Sequence, residues 1–284
     1  MSPVSRTHVS QGLKLHYVDW GNEEAPLLLL VHGTRDHARS WDWTARALRD
    51  RWHVIAPDLR GHGDSQWSPD GAYLGAFHVL DLADLIDTLG HREATIVGHS
   101  YGGHVCGRYA ALFPERVRRL VLVDGLGPSA SVLAKWTEHG VAKRSREWIE
   151  KRRKMRARQP RRFATSEEAV ARMAAANRHL SEEQACHLAL HGIRLHPDGY
   201  GWKYDPDIWA FLPEEFSVDS AAFWREIAAP TLLCWGTESW TASPETDQRT
   251  AYFRDHRNAV FEKAGHWLHH DQLDAFLTAL NEFL

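Results

Sequence analysis

Hydrophobic residues along the chain fall into short apolar runs separated by stretches with helical spacing. The runs of strand length lie at residues 26–33, 53–58, 94–97, 117–124 and 230–236. Runs that are apolar throughout predict strands buried on both faces of a parallel sheet. Between the runs, amphipathic spacing predicts helices at residues 40–50, 76–89 and 104–113. Strands and helices that alternate in this way predict an α/β fold with a doubly wound, mostly parallel sheet.

The pattern adds further elements at both ends of this sheet. Residues 12–18 alternate between apolar and polar, which predicts a half-buried strand at an antiparallel edge. After the run at 230–236 the pattern predicts a helix and a last strand near 258–262. A C-terminal helix then follows, with Phe276 and Leu280 on one face.

The pattern changes between the two halves of the predicted sheet. Residues 127–225 contain no convincing buried strand, only helical stretches, and Thr165 and Ser181 are suited to cap two of these helices. We therefore predict a sheet core made of residues 1–126 and 226–284, with residues 127–225 inserted as a helical cap. An insertion at the carboxyl ends of the strands would lie over the crevice where such sheets bind ligands.

Composition narrows the classes of function. A net charge of -3 with 25% charged residues provides no overall attraction to nucleic acid or to an anionic membrane, so neither partner is expected. A basic run at 143–158 is interpreted as a solvated helix face, with an anion- or partner-binding face as the alternative. Three cysteines far apart, and no apolar leader at residues 1–10, predict a cytoplasmic protein without disulfides. No oligomeric state follows from the composition.

One short motif carries the strongest chemical signal. Gly98-His99-Ser100-Tyr101-Gly102 lies between a predicted strand and a predicted helix. A serine at such a tight turn is held on a strained backbone with its hydroxyl clear of the sheet, and the flanking glycines let strand and helix approach closely. The motif predicts a nucleophile elbow with Ser100 as the nucleophile.

Three further blocks accompany this motif along the chain. They are His32-Gly33-Thr34, the loop from Asp58 to Ser65, and Gly265-His266 near the C-terminus. With these four blocks in this order and spacing, the chain resembles the α/β-hydrolase fold superfamily, in particular its capped serine hydrolases. The resemblance covers the predicted core and leaves the cap, where such proteins vary most, unmatched.

A serine hydroxyl is a poor nucleophile at neutral pH and needs an adjacent base that a third group orients. His266 follows the last predicted strand, where the fold returns a loop to the elbow, and is the predicted base; His269 is the alternative. No metal site is predicted, because the adjacent His269 and His270 point to different sides and no carboxylate–histidine spacing supports them.

The acid is open between two carboxylates. Proteins that resemble this chain usually carry an aspartate three residues after the glycine that ends the strand at 231–236, and that position is Ser239 here. Asp124, which ends the preceding strand, is the preferred acid because some members of the fold use that position. Glu238 is the alternative. Either choice keeps the order serine, acid, histidine.

The remaining expectations concern the reaction and its substrate. An oxyanion hole needs two backbone N–H donors, which the resemblance assigns to Thr34 and Tyr101. Relatives that hydrolyse epoxides or haloalkanes use an aspartate nucleophile, so Ser100 instead implies an esterase, lactonase, thioesterase or carbon–carbon bond hydrolase. No cofactor is implied.

Thirteen tryptophans favour an aromatic-lined pocket and an apolar or aromatic acyl substrate. The alternative to an enzyme is a weakly catalytic or non-catalytic protein that binds a small ligand on the same fold, as receptor-like members do. The absence of aspartate at position 239 is the feature that favours this alternative.

Overall fold

The computed structural model describes residues 2–158, 160–209 and 220–284. The strands, in chain order, are β1 (Val4–Ser10), β2 (Leu13–Asp19), β3 (Leu27–Val31), β4 (His53–Pro57), β5 (Ala94–His99), β6 (Val117–Val123), β7 (Ile193–His196), β8 (Gly199–Trp202), β9 (Thr231–Gly236) and β10 (His256–Phe261). The helices are α1 (Asp42–Leu48), α2 (Gly75–Thr88), α3 (Tyr101–Leu112), α4 (Ala130–Thr137), α5 (Val141–Arg156), α6 (Ser166–Ala176), α7 (Glu182–Gly192), α8 (Ser220–Glu226), α9 (Leu268–Asp271) and α10 (Leu273–Phe283).

Eight strands form one sheet in the order β1-β2-β4-β3-β5-β6-β9-β10. All pairs from β4 to β10 are parallel, and β1 and β2 form an antiparallel edge. Every residue of β3, β4, β5 and β9 is buried, which explains why these strands are apolar on both faces. The predicted α/β fold with a mostly parallel sheet is confirmed.

Successive side chains of each strand enter two separate cores. Leu29 and Ile96 pack with α2, α3 and α8 on one face, whereas Leu30 and Val97 pack with α1 and α10 on the other. Both faces are thus covered by helices, and the carboxyl ends of the parallel strands form one edge where the connecting loops meet. The four sequence blocks that carry the family resemblance lie far apart along the chain, and the fold brings them together at this edge.

The prediction of a helix between β9 and β10 is wrong. The chain between β9 and β10 contains one short 3₁₀ turn, Arg249–Tyr252, and otherwise irregular backbone. Hydroxyl side chains explain the difference, because they bond to nearby backbone in competition with a helix. Thr246 Oγ1 donates to the Ser243 carbonyl, and Ser243 Oγ accepts from the Glu245 N–H.

Residues 127–225, which we call the inserted segment, connect β6 to β9. Besides α4 to α8 they contain the β7–β8 hairpin, which was not predicted. Its strands are four residues long and only partly buried, so they leave no apolar run in the sequence. The two predicted helix caps are confirmed: Thr165 accepts from the Glu168 N–H, and Ser181 forms a capping box with Gln184.

The inserted segment contacts loops at the carboxyl edge of the sheet. His37 Nε2 lies 2.9 Å from the Leu188 carbonyl oxygen, and Tyr73 donates a 2.5 Å hydrogen bond to Asp205. Among the described residues, no helix has the length and apolar character needed to cross a membrane.

Candidate active site

The turn between β5 and α3 holds Ser100 in a backbone conformation that L-residues rarely adopt, with φ 52° and ψ -121°. The Ser100 N–H donates to the Val123 carbonyl at 2.9 Å, which ties the turn to β6. A side chain at Gly102 would collide with the carbonyl oxygen of His32. The residue types of the motif therefore follow from how closely the turn packs against its neighbours.

His266 lies in the loop after β10 and contacts Ser100. Its Nε2 is 2.8 Å from Ser100 Oγ, and its side chain is 5% exposed. Two contacts fix this loop: the Gly265 N–H donates to Asp271 at 2.7 Å, and His99 Nε2 donates to the His266 carbonyl at 2.9 Å.

Asp124 completes a chain of three side chains. It follows β6 with φ 46°, and its Oδ2 lies 2.7 Å from His266 Nδ1. Because a carboxylate only accepts, Nδ1 carries the proton and Nε2 is free to accept from the Ser100 hydroxyl. The arrangement can remove a proton from Ser100 and stabilise the imidazolium that forms.

The two predicted acids lie in different surroundings. Asp124 contacts His266, whereas Glu238 Oε2 is 2.5 Å from Arg178 Nη2 and 3.2 Å from His179 Nε2. Both of these partners belong to the inserted segment. Of the two carboxylates, only Asp124 has a described hydrogen bond to His266.

The alternative base, His269, is buried in the core among aromatic rings. It is 1% exposed and its ring is stacked on Trp41, with 4.5 Å between the centroids. Burial, with smaller contributions from neighbouring histidines, lowers its pKa well below the ordinary value. The described contacts of Ser100 include His266 and not His269.

The loop after β3 packs against the elbow. A side chain at Gly33 would come within 2.9 Å of Ser100 Cβ. Tyr101 is the first residue of α3, where backbone N–H groups face outward and the helix dipole is positive. His32 braces the loop, because its Nδ1 donates to the Gly33 carbonyl and its Nε2 accepts from the Leu59 N–H. Thr34 and Tyr101 therefore belong to two segments that meet beside Ser100.

The loop after β4 is built around Asp58. This buried carboxylate accepts from the N–H groups of Ala38 and Asp64 and from His16 Nδ1, at 2.6 to 2.8 Å. Burial alone would raise the pKa of Asp58, but the hydrogen bond from His16 and the neighbouring histidines hold it below its ordinary value. A side chain at Gly63 would overlap the carboxylate.

Several contacts of the site were missed by sequence reasoning. Ser239 Oγ is 2.5 Å from Asp124 Oδ2, Thr241 donates to Asp124 Oδ1, and the ring of Trp240 lies 4.7 Å from that of His266. The only available signal was Ser239 itself, which the sequence marks as a departure from the usual aspartate. Nothing in the residue pattern relates its hydroxyl to Asp124.

Two groups of side chains have the donor atoms of a metal site, Asp42 with His187 and His191, and His16 with Asp58 and Asp64. In the first group, Arg39 Nε donates to both carboxylate oxygens of Asp42, at 2.9 Å from Oδ1 and 2.8 Å from Oδ2. In the second, Asp58 has the backbone and histidine partners given above. Both groups are thus explained by the ion pairs and hydrogen bonds that the structure contains.

Comparison with known proteins identifies the family. The family model described as "Alpha/beta hydrolase family" matches residues 28–279. Epoxide hydrolase 4 of Mus musculus is 33% identical over 119 residues, which is 42% of this chain and 33% of that protein. The matched region thus spans about a third of the length of this curated relative.

Solved structures extend the similarity to the whole chain. E-2-(acetamidomethylene)succinate hydrolase superposes with a TM-score of 0.83 at 24% identity, covering 99% of both chains. The Mycobacterium tuberculosis esterase Rv0045c superposes with a TM-score of 0.77 at 25% identity, covering 99% of this chain and 91% of that one.

Proposed function

The chain belongs to the alpha/beta hydrolase family, and we propose that it is a serine hydrolase that cleaves a carboxylic ester or a related acyl substrate. One observation carries the proposal: Ser100, His266 and Asp124 form a continuous hydrogen-bonded chain with separations of 2.8 and 2.7 Å. These three side chains supply what nucleophilic acyl transfer requires: a nucleophile, a base and a group that orients the base.

In the first half of the reaction, Ser100 Oγ forms a bond to the carbonyl carbon while its proton moves to His266 Nε2. The carbonyl electron pair moves onto oxygen, and the backbone N–H groups of Thr34 and Tyr101 stabilise the resulting charge. Collapse of this intermediate breaks the bond to the leaving alcohol, which takes the proton from Nε2. The product is an acyl-Ser100 ester.

In the second half, water replaces the alcohol. It gives a proton to His266 Nε2 as it attacks the acyl carbon, and collapse releases the carboxylic acid while Ser100 Oγ recovers the proton. Asp124 stays ionised throughout and stabilises the imidazolium through Nδ1. Every step uses groups of this chain, so the proposal requires no cofactor.

The identity of the nucleophile favours acyl transfer over epoxide hydrolysis, the reaction for which one relative is named. Epoxide opening through an alkyl-ester intermediate needs a carboxylate at the elbow, and this chain has Ser100 there. The similarity to the esterase Rv0045c agrees with acyl transfer. Trp240, 77% exposed beside His266, favours an apolar or aromatic acyl substrate because it offers an open ring face next to the base.

The alternative, a protein that binds a small ligand without turnover, is less well supported. Its argument was the missing aspartate at position 239, which would leave the base without a partner. The 2.7 Å contact between Asp124 and His266 supports the enzyme over this alternative, because it supplies the base with a carboxylate partner.

The test is hydrolysis of p-nitrophenyl esters graded from acetate to long and aromatic acyl chains. Ser100→Ala is measured alongside Ser243→Ala, a matched change that touches neither His266 nor Asp124. We expect turnover that is lost in Ser100→Ala alone, together with labelling of Ser100 by a fluorophosphonate. No turnover and no labelling in the unmodified protein would contradict the proposal and favour ligand binding.

A further inference from the structure

The carboxylate of Asp124 has two hydrogen-bond donors besides His266. Ser239 Oγ donates to Oδ2 at 2.5 Å, and Thr241 Oγ1 donates to Oδ1. Both hydroxyls come from the turn after β9, whereas Asp124 follows β6. Neither hydroxyl takes part in the reaction steps described above, although together they occupy both oxygens of the carboxylate.

A buried carboxylate needs such partners for two reasons. The side chain of Asp124 is 5% exposed, and a charge with so little water is costly unless it is hydrogen-bonded. The carboxylate can also rotate about its bond to Cβ, because that torsion has no sharp minima. A donor on each oxygen fixes the plane, and with it the 2.7 Å contact between Oδ2 and His266 Nδ1.

The two turns that carry these groups are themselves fastened together. Arg249 is 6% exposed, and its guanidinium donates to the carbonyl of Gly127 after β6 and to that of Ala242 after β9, both at 2.8 Å. The Asp124 N–H also donates to the Cys234 carbonyl at 2.8 Å. Relative movement of the turns would break these bonds, so the hydroxyls and the carboxylate keep their spacing.

We propose that Ser239 and Thr241 are positioning residues that hold the Asp124 carboxylate in the plane where it contacts His266. The inference rests on the proposed function, since it assigns a role within the same site. The turn after β9 would then supply two neutral donors that orient a charge carried by β6. In this arrangement the departure from aspartate at position 239 is a functional feature of the site.

The test combines a spectroscopic and a kinetic measurement. The variant Ser239→Ala/Thr241→Val removes both hydroxyls and keeps the side-chain size close to that of the original. Its matched control is Ser243→Ala/Thr246→Val, which removes two hydroxyls of the same loop whose hydrogen bonds, among the described residues, lie within the loop. A second variant, Ser239→Thr/Thr241→Ser, keeps both hydroxyls. Thermal unfolding checks that each variant is folded.

The spectroscopic measurement is the low-field proton resonance of His266 Nδ1–H, assigned by its loss in Asp124→Asn. We expect this resonance to shift or broaden in Ser239→Ala/Thr241→Val and to stay unchanged in the control and in the variant that keeps the hydroxyls. An unchanged resonance in a folded Ser239→Ala/Thr241→Val protein would overturn the inference. Because it needs no turnover, this measurement decides the positioning role even if no ester is hydrolysed.

The kinetic measurement determines kcat and KM separately on the p-nitrophenyl ester that is hydrolysed fastest. Loss of the carboxylate's orientation should lower kcat by about 10- to 100-fold with KM little changed, since misplacement of a catalytic group by about 1 Å has effects of this size. The variant that keeps the hydroxyls should retain most of the activity. If Ser239→Ala/Thr241→Val has the same kcat as its matched control and as the variant that keeps the hydroxyls, while Ser100→Ala is inactive, the inference is overturned and the proposed function still stands.

Discussion

Two aspartates six residues apart in the loop after β4 have opposite surroundings. Asp58 is buried, with a side chain 3% exposed, and its partners are backbone N–H groups and a histidine of the core. Asp64 is 47% exposed and pairs with Arg194 and Lys203 of the inserted segment, at 3.1 and 2.9 Å. One carboxylate holds a loop of the core together, and the other joins that core to the inserted segment.

The same difference separates the two regions as a whole. In the core, Ser100, His266 and Asp124 are joined by hydrogen bonds between the loops that follow β5, β10 and β6. Many contacts of the inserted segment with the core are ion pairs between partly exposed side chains, such as Arg178 with Glu238. Exposed ion pairs contribute little free energy, whereas buried donors without acceptors are costly. We therefore expect changes in the core to affect catalysis and folding far more than changes at the inserted segment.

The largest effect is expected from Asp124→Asn. Loss of the charge leaves His266 in the wrong tautomer or without its orienting partner, and kcat should fall by about 10⁴-fold. Glu238→Gln, which alters a carboxylate facing the inserted segment, should keep kcat near that of the unmodified protein. Steady-state kinetics on the p-nitrophenyl ester panel test both variants. A large loss in Glu238→Gln with little loss in Asp124→Asn would contradict the assignment.

Acid should destabilise the core next most strongly, through its buried neutral histidines. Burial lowers the pKa of His32 and of His104 to about 3 and that of His62 to about 4. A histidine with a lowered folded pKa contributes stability above its unfolded pKa of about 6.5, and that stability is lost as the pH falls below it.

For each of these histidines, lowering the pH from 7 to 5 should reduce the unfolding free energy by about 2 kcal/mol. Urea unfolding at the two pH values measures the loss. His104→Gln should reduce the pH dependence, whereas His139→Gln, a change at an exposed position, should not. A stability that is flat between pH 7 and pH 5 would show that these rings are protonated or exposed.

Asp58→Asn should have a smaller but clear effect on folding. An amide can accept through one oxygen only, so its NH₂ group would face one of the N–H donors of Ala38 and Asp64. Burying a donor without an acceptor should lower the unfolding free energy by about 2 to 4 kcal/mol. Urea unfolding at pH 7 measures this change, and a loss below about 1 kcal/mol would contradict the role given to Asp58.

The core of the fold could be predicted because its signal is local. A parallel strand such as β3 is buried on both faces, and an unbroken run of leucines is the direct result. The β7–β8 hairpin gives no such signal, since its residues are partly buried, and the sequence of the hydroxyl-rich loop after β9 wrongly predicts a helix. These errors have one cause: exposed or irregular segments depend on tertiary contacts that periodicity does not record.

The candidate site was only partly predictable for a related reason. Ser100 and His266 are marked by short motifs at strand ends, so sequence alone indicates them. The identity of the acid depends on which strand end faces the imidazole. The sequence offers two carboxylates, Asp124 and Glu238, and the choice between them requires the order of the strands in the sheet. The hydroxyl of Ser239 gains its meaning only from the 2.5 Å contact that brings it to Asp124.

The smallest effect should come from Asp64→Asn, the counterpart of Asp58→Asn in the same loop. Because Asp64 and Arg194 are about half exposed, solvent screens the ion pair and the unfolding free energy should fall by less than about 1 kcal/mol. The change loosens a contact between the inserted segment and the core, so KM should rise while kcat stays nearly constant. Kinetics at low and high salt test this, since salt should produce a similar rise in KM in the unmodified protein and little further rise in the variant. A fall in kcat as large as that in Asp124→Asn would mean that the inserted segment and the catalytic core are not separable.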